Sequence, residues 1–207
     1  MNESQFDASP HMRYLLTKGM SRADYIRFLQ QSQHHMRAAV KGFAVAGTSL
    51  LDAGNRLADV AKYFLQHAAD EHNEDEVCKA DLRRLGAPQT ATATQATRDM
   101  CRVLREQSLS RPYRIIADSL VVERIAATSG ELFFKALAQN IPDDLHATQY
   151  LQLHNRVESD HAHDAERLVE NIDWTMAEQS AIGRACCESR RRFHDFLAQF
   201  VPKGVVK

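Results

Sequence analysis

The sequence predicts an all-α fold on three grounds. Only 8 Gly and 5 Pro interrupt 207 residues, so few elements, mostly long, are expected. Apolar residues recur at helical spacing along most of the chain. No run of strand-like alternation is long enough to suggest a sheet. At this length one large domain, able to bury roughly 70% of its unfolded surface, fits better than two.

Ser21 followed by Asp24 offers an N-cap with an acidic first turn. Tyr25, Ile26, Leu29, Met36, Val40 and Phe43 then recur at helical spacing and predict a first long helix to about Ala46. Gly47 and Gly54 bracket a short break. Leu57, Val60, Ala61, Phe64, Leu65 and Ala68 open a second helix running towards Leu85, where Gly86 and Pro88 end it. Gln89 to Thr97, rich in Thr and Ala, reads as a loop leading into a modest helix from about Thr97 to Gln107. Arg111-Pro112 starts the next helix, because proline suits a first turn. It continues through Ile115, Leu120, Val122, Ile125, Leu132 and Leu137 to Asn140 and Pro142, with Gly130 marking close packing or a kink. Asp143 and Asp144 favour an N-terminal turn ahead of a helix from Leu145 to Asn171, and a last helix runs from about Trp174 to Phe200. Six helices result. Residues 1–20 read as an N-terminal extension, 21–200 as the helical domain and 201–207 as a C-terminal tail.

Lys plus Arg number 26 against 27 Asp plus Glu, so no net field draws the chain to nucleic acid or an anionic membrane. Cys78, Cys101, Cys186 and Cys187 form no C-x-x-C pair, which argues against a disulfide framework and against structural zinc and fits a reducing cytosol. Met1 to Pro10 lacks the basic start and apolar run of a signal peptide, and no segment approaches the roughly 20 apolar residues that span a bilayer. The expected location is cytoplasmic, with small molecules or other proteins as partners rather than nucleic acid or membrane.

Chemistry concentrates in two stripes. His67, Glu71 and Glu74 fall within roughly 60° on one face of the second helix. His154, Glu158 and His161 repeat the same i, i+4, i+7 offsets after Pro142. Burying such groups costs several kcal/mol each unless they are paired or ligate a cation. Imidazole nitrogen with carboxylate oxygen is the ligand set of non-haem iron and manganese, and bridging carboxylates can hold two such ions. Glu123, flanked by Val121, Val122, Ile125 and Ala126, can supply a ligand from a third helix. Either stripe alone also fits a solvated or ion-paired face, since Asp70 to Glu76 is densely charged. Helical geometry turns Asp70, His72, Asp75, Glu76 and His163 away from the stripes, onto the surface. His34 or His35 has the chemistry of an axial haem ligand but equally that of an ordinary interior or surface histidine. Tyr14, Tyr25, Tyr63 and Tyr113 read as core or rim residues, and Cys101 as a small buried thiol rather than a nucleophile.

Three segments, HAADEHNEDEVCKADLRRLG at 67–86, LVVERIAA at 120–127 and HNRVESDHAHDAERLV at 154–169, together resemble the iron-containing redox enzymes of the haem-oxygenase-like fold. That group includes the haem-oxygenase-like dimetal oxidases and is related in fold to thiaminase II and pyrroloquinoline-quinone synthase. The resemblance spans about residues 20–200. It places Glu71, Glu123, His154, Glu158 and His161 on metal-ligand positions, with Glu158 where the family usually has Asp. Residue 74 departs from the family, which commonly shows His after Gly where this chain has Asn73-Glu74. The resemblance implies a bundle of about seven helices, frequent homodimers, and O₂-dependent chemistry on small organic molecules such as amino acids or fatty acids.

The expected function is therefore a non-haem dimetal oxidase or oxygenase, with iron, or iron and manganese, held by the stripes and Glu123. Phe64, Phe133 and Phe134 are expected to keep the pocket dry. The alternatives are a metal-free relative of thiaminase II or quinone synthase, using the same residues as acids and bases on a heterocycle, or a non-catalytic small-molecule-binding relative.

Overall fold

The computed structural model describes residues 9–52 and 55–205, and among them every regular element is helical. The order is α1 (Pro10–Lys18), α2 (Arg22–Asp52), α3 (Ala58–Arg84), α4 (Gln95–Ser110), the short α5 (Ile116–Asp118), a π-helical turn (Ser119–Glu123), α6 (Arg124–Asn140), α7 (Gln149–Asn171) and α8 (Met176–Ala198). Turns of 3₁₀ helix precede α3, α5 and α7.

Several helix boundaries follow the local chemistry read from the sequence. Ser21 Oγ accepts from the Asp24 amide and starts α2. Gly86, at φ 64°, ends α3, with the Ala87 amide donating to the Leu82 carbonyl. Thr175 and Glu178, a pair not singled out in the sequence, form a reciprocal capping box at the start of α8. The loop before α4 keeps its expected place because two α2 glutamines hold it. Gln30 donates to the Pro88 carbonyl, while Gln31 donates to the Thr92 carbonyl and accepts from the Thr94 amide.

Four features differ from the sequence reading. Helix α2 runs through Gly47 to Asp52 instead of breaking at Gly47. A Cβ on Gly47 would lie 2.8 Å from Leu65 Cγ and 3.0 Å from the Ala61 carbonyl oxygen, so this glycine serves close packing of α2 on α3. Gly54 and Met1 to Ala8 lie outside the described residues. The segment read as an N-terminal extension contains α1, whose Met12 and Leu15 are buried in the core. Gly19 joins it to α2 at φ 67°, where a Cβ would meet the Ala136 carbonyl oxygen of α6 at 2.5 Å. The helix expected from Pro112 to Asn140 is instead a 3₁₀ turn, α5, the π turn and α6. Asp75, assigned to the surface, is 4% exposed and held by Lys79 at 2.7 Å and Arg37 at 3.4 Å.

The apolar core divides along the long helices. Phe28, Leu29 and Met36 of α2 join Cys78 and Leu82 of α3 in one cluster with Phe196 and Phe200. Further along α2, Phe43, Ala46 and Leu50 join Val60, Phe64 and Ala68 of α3 in a second, with Ile115, Ile116 and Trp174. On α3, the stripe of His67, Glu71 and Glu74 lies where the second cluster, ending at Ala68, gives way to the first, which resumes at Cys78. That stripe is enclosed at both ends by packing worth about 1.5–3 kcal/mol per large buried side chain. All four cysteines are free thiols. No helix among the described residues is long and apolar enough to cross a membrane.

Candidate metal centre

Helices α3 and α7 bring the two stripes together in opposite directions. Glu74 meets His154 and His67 meets His161, so residues seven apart on one helix pair with residues seven apart on the other. Asp81 sets this register. Its fully buried carboxylate accepts from the Tyr150 amide at 2.7 Å, serving the N-terminus of α7, which has no cap of its own. A carboxylate against those free amides is favoured by their charge and by the helix dipole.

Two groups of ligand-type side chains result. His67, Glu123 and His161 offer donor atoms within 4.8 Å of one another, as do Glu74, His154 and Glu158. Glu71 adjoins both: its Oε1 is 3.6 Å from His67 Nε2, and its charge interacts with Glu74, Glu158 and His154. All seven residues singled out in the sequence therefore meet in one place. Six come from the matched stripes and the seventh, Glu123, ends the π turn. That turn inserts an extra residue per turn and changes the angle at which Glu123 leaves its helix.

Burial makes the cluster electrostatically tense. His67 is 2% exposed, Glu74 3%, Glu123 5%, Glu158 1% and Glu71 8%. Burial alone would lower the His67 pKa, but Glu123, Glu71 and Glu158 outweigh it and push it up to about 10. His154 is likewise driven well above its usual value despite burial, because Nδ1 sits 2.6 Å from Glu74 Oε2 and 2.9 Å from Glu158 Oε1. Burial raises Glu71 strongly, with Glu74 adding to it and His67 opposing it. Glu158 is raised by burial against the pull of His154, whereas in Glu74 the His154 contact overcomes burial and the carboxyl is held low.

Several polar atoms here lack partners. Oε2 of Glu71, Glu123 and Glu158 and both ring nitrogens of His67 are buried with no hydrogen bond. His67 Nε2 lies 2.8 Å from Glu123 Oε1, an ion-pair distance, yet without an aligned hydrogen bond from the ring nitrogen. Unpaired buried carboxylate oxygens are costly, and cations held by these groups would reduce that cost. The residues present thus fit a metal centre, and their oxygen-rich donor set with imidazole suits iron or manganese.

Aromatic side chains enclose the His67 end. Phe43 packs edge-on at 4.4 Å and Tyr63 stacks at 5.5 Å between centroids, while Phe64 supports Phe43 at 5.4 Å. Next to the other face of the cluster lies a cavity of about 90 Å³. Glu71, Glu123, His154 and Glu158 line it together with apolar residues that include Met36, Phe133 and Leu197. Phe133 therefore guards the cavity as expected, whereas Phe64 acts from the second core and Phe134 packs at the margin of the first.

Sequence reasoning missed several residues here. Met12 and Leu15 of α1 wall the cavity, as do His35 and Asp118, whose Nε2 and Oδ2 are 3.3 Å apart. His35 was weighed in the sequence only as an axial haem ligand or an ordinary histidine, and the signal for its place at the cavity was its position one residue before the buried Met36 on α2. Its neighbour His34 instead donates Nε2 to the Ala91 carbonyl at 2.7 Å. Asp70, turned away by helical geometry, still approaches His161 Nε2 at 3.9 Å. Tyr25 is buried in the core, and Cys101 is half-buried with its thiol pushed up to about 11 by burial.

No protein-family model matches the chain, and no curated protein matches it by sequence. Among solved structures, a domain of unknown function with a haem oxygenase-like fold from Shewanella denitrificans is similar at a TM-score of 0.80 and 15% identity. The match covers 96% of this chain and 86% of that one. The chain thus has an all-α, haem-oxygenase-like fold.

Proposed function

We propose that the protein is a non-haem dimetal oxidase or oxygenase that uses O₂ on a small organic substrate held in the cavity beside the cluster. The observation that carries this reading is the set of buried, partnerless carboxylate oxygens on Glu71, Glu123 and Glu158, set among two adjoining groups of ligand-type side chains. His67, Glu123 and His161 would hold one ion, Glu74, His154 and Glu158 the other, and Glu71 stands next to both sets. Iron, or iron with manganese, would supply the binding and reduction of O₂.

The chain's own residues account for the rest. Glu74, held low by His154, stays ionised and keeps the imidazole oriented. The neighbouring carboxylates favour the protonated forms of His67 and His154 against burial, so metal loading would displace protons there. Phe43, Tyr63 and Phe64 keep water from the His67 side, and the apolar wall does so on the cavity side. At about 90 Å³, against roughly 30 Å³ for a water molecule, the cavity favours a compact, largely apolar substrate portion next to the carboxylates.

Anaerobic loading with Fe(II), followed by removal of loose metal, tests the reading. About two ions per chain are expected in wild type, with clear loss in both Glu123→Ala and His161→Ala. No bound iron or manganese in folded wild type would sink it. One observation favours a second reading, a metal-free acid-base enzyme: His154 is already satisfied between Glu74 and Glu158 without any cation. Full metal independence of a turnover that His154→Ala abolishes would support that alternative.

A further inference from the structure

We propose that the groove between α2 and α4 is a second binding site, for a phosphate-bearing small molecule of the nucleotide kind. It has a volume of about 860 Å³, within the roughly 300–1,000 Å³ typical of small-molecule sites. Arg37 and Lys41 project into it from α2, and Arg98, Arg102 and Arg105 from α4. The α2 pair is spaced i, i+4 and the α4 residues i, i+4, i+7, so each set occupies one helix face.

The charge of this groove departs from that of the whole chain. The sequence is nearly balanced, with 26 basic and 27 acidic residues, yet five cations and no acidic side chain line the groove. Lys41 and Arg105 make no ion pair among the described residues, and Arg98 bonds only to the Ala93 carbonyl and Gln95. Arg102 pairs with the exposed Glu106 and, at 3.6 Å, with Asp99, and Arg37 pairs with Asp75 at 3.4 Å. A surface pair such as Arg102–Glu106 holds its partner weakly and exchanges readily for a phosphate. Guanidinium groups match phosphate oxygens in two-pronged hydrogen bonds, so three arginines on one helix face favour a di- or triphosphate over a single carboxylate.

The remaining lining suits the organic part of such a ligand. Ala38 and Gly42 are small and leave room between the cationic rows, while Val45 and Leu109 are exposed at 40% and 66% and offer apolar cover. None of the groove residues belongs to the ligand cluster, so this site stands or falls independently of the metal.

The test is a fluorescence titration of the full-length protein with the N-methylanthraniloyl derivative of ADP, followed by displacement with inorganic pyrophosphate. Saturable binding in the range of about 10–100 μM is expected, weakening as salt rises. Lys41→Glu combined with Arg105→Glu should weaken it by about tenfold or more, while Arg105→Lys largely preserves it. Melting temperature and bound metal should stay at wild-type values in all variants. Absence of saturable binding, indifference to the double charge reversal, or failure of pyrophosphate to displace the probe would overturn the proposal. Displacement by poly-glutamate as effective as by pyrophosphate would overturn it too, assigning the groove to an acidic protein segment.

Discussion

Glu71 shows at the level of one residue how a site can work against the stability of the protein that carries it. Its Oε2 has no hydrogen-bond partner, and burial with Glu74 beside it raises its pKa well above the ordinary carboxylate range, although His67 opposes this. Without metal, a neutral amide of the same shape should be the better occupant. Glu71→Gln is expected to stabilise the metal-free protein by about 1–3 kcal/mol. At roughly 2–4 °C per kcal/mol for this size, calorimetry would resolve the gain. The same variant should lose most of the rise in melting temperature that Fe(II) gives wild type. A destabilised metal-free variant would contradict the account. The residues of the cluster were legible in the sequence because six lie at matched offsets on helices whose existence the apolar period already implied. Asp75 was misread because helical angle alone cannot show that α2 covers that face with Arg37. His35 and Asp118 left too little local signal, since their meeting depends on the distance between α2 and α5.

Between residue and fold, the π turn at Ser119–Glu123 decides where Glu123 points. A π turn carries one residue more than an α turn and survives where tertiary packing or function favours it. Deleting the half-buried Leu120 should allow a continuous α-helix through this stretch, and four α residues turn through nearly the same angle as the five of the π turn, so Glu123 should keep its direction. Circular dichroism should remain helical with bound iron near the wild-type level, and loss of metal from the folded variant would refute the role given to the turn. The long helices and some of their ends were readable, because Ser21 and Gly86 act within one turn of the chain, whereas α1 was missed and Pro112 opens a 3₁₀ turn. Gly47 was not readable in the same way. A glycine that ends a helix and one that lets a neighbouring helix approach look alike until Leu65 is seen 2.8 Å from where its Cβ would be.

Over the whole molecule, the buried cluster ties stability to pH. His67 has a folded pKa of about 10 against an ordinary 6.5. Its contribution is fully present below about pH 6.5 and is lost as pH rises through about 10. Glu71, Glu158 and His154 are also raised and act in the same direction, while the lowered Glu74 acts oppositely. The metal-free protein should therefore melt lower at pH 10 than at pH 7, by about 5 °C or more. The metal-loaded form should show a flatter profile, because the cation has replaced the protons. Parallel thermal scans of both forms check this, and a metal-free melting temperature that climbs with pH would reverse the sign and reject it. The sequence by itself determined the all-α class, most helix spans and the seven residues of the cluster, since period, caps and matched spacing are properties of one helix at a time. Only the tertiary structure decided that Asp81 locks α3 to α7, that α1 closes the cavity, and that five cations face one groove. Each of these depends on distances between segments far apart in the chain, which no local pattern encodes.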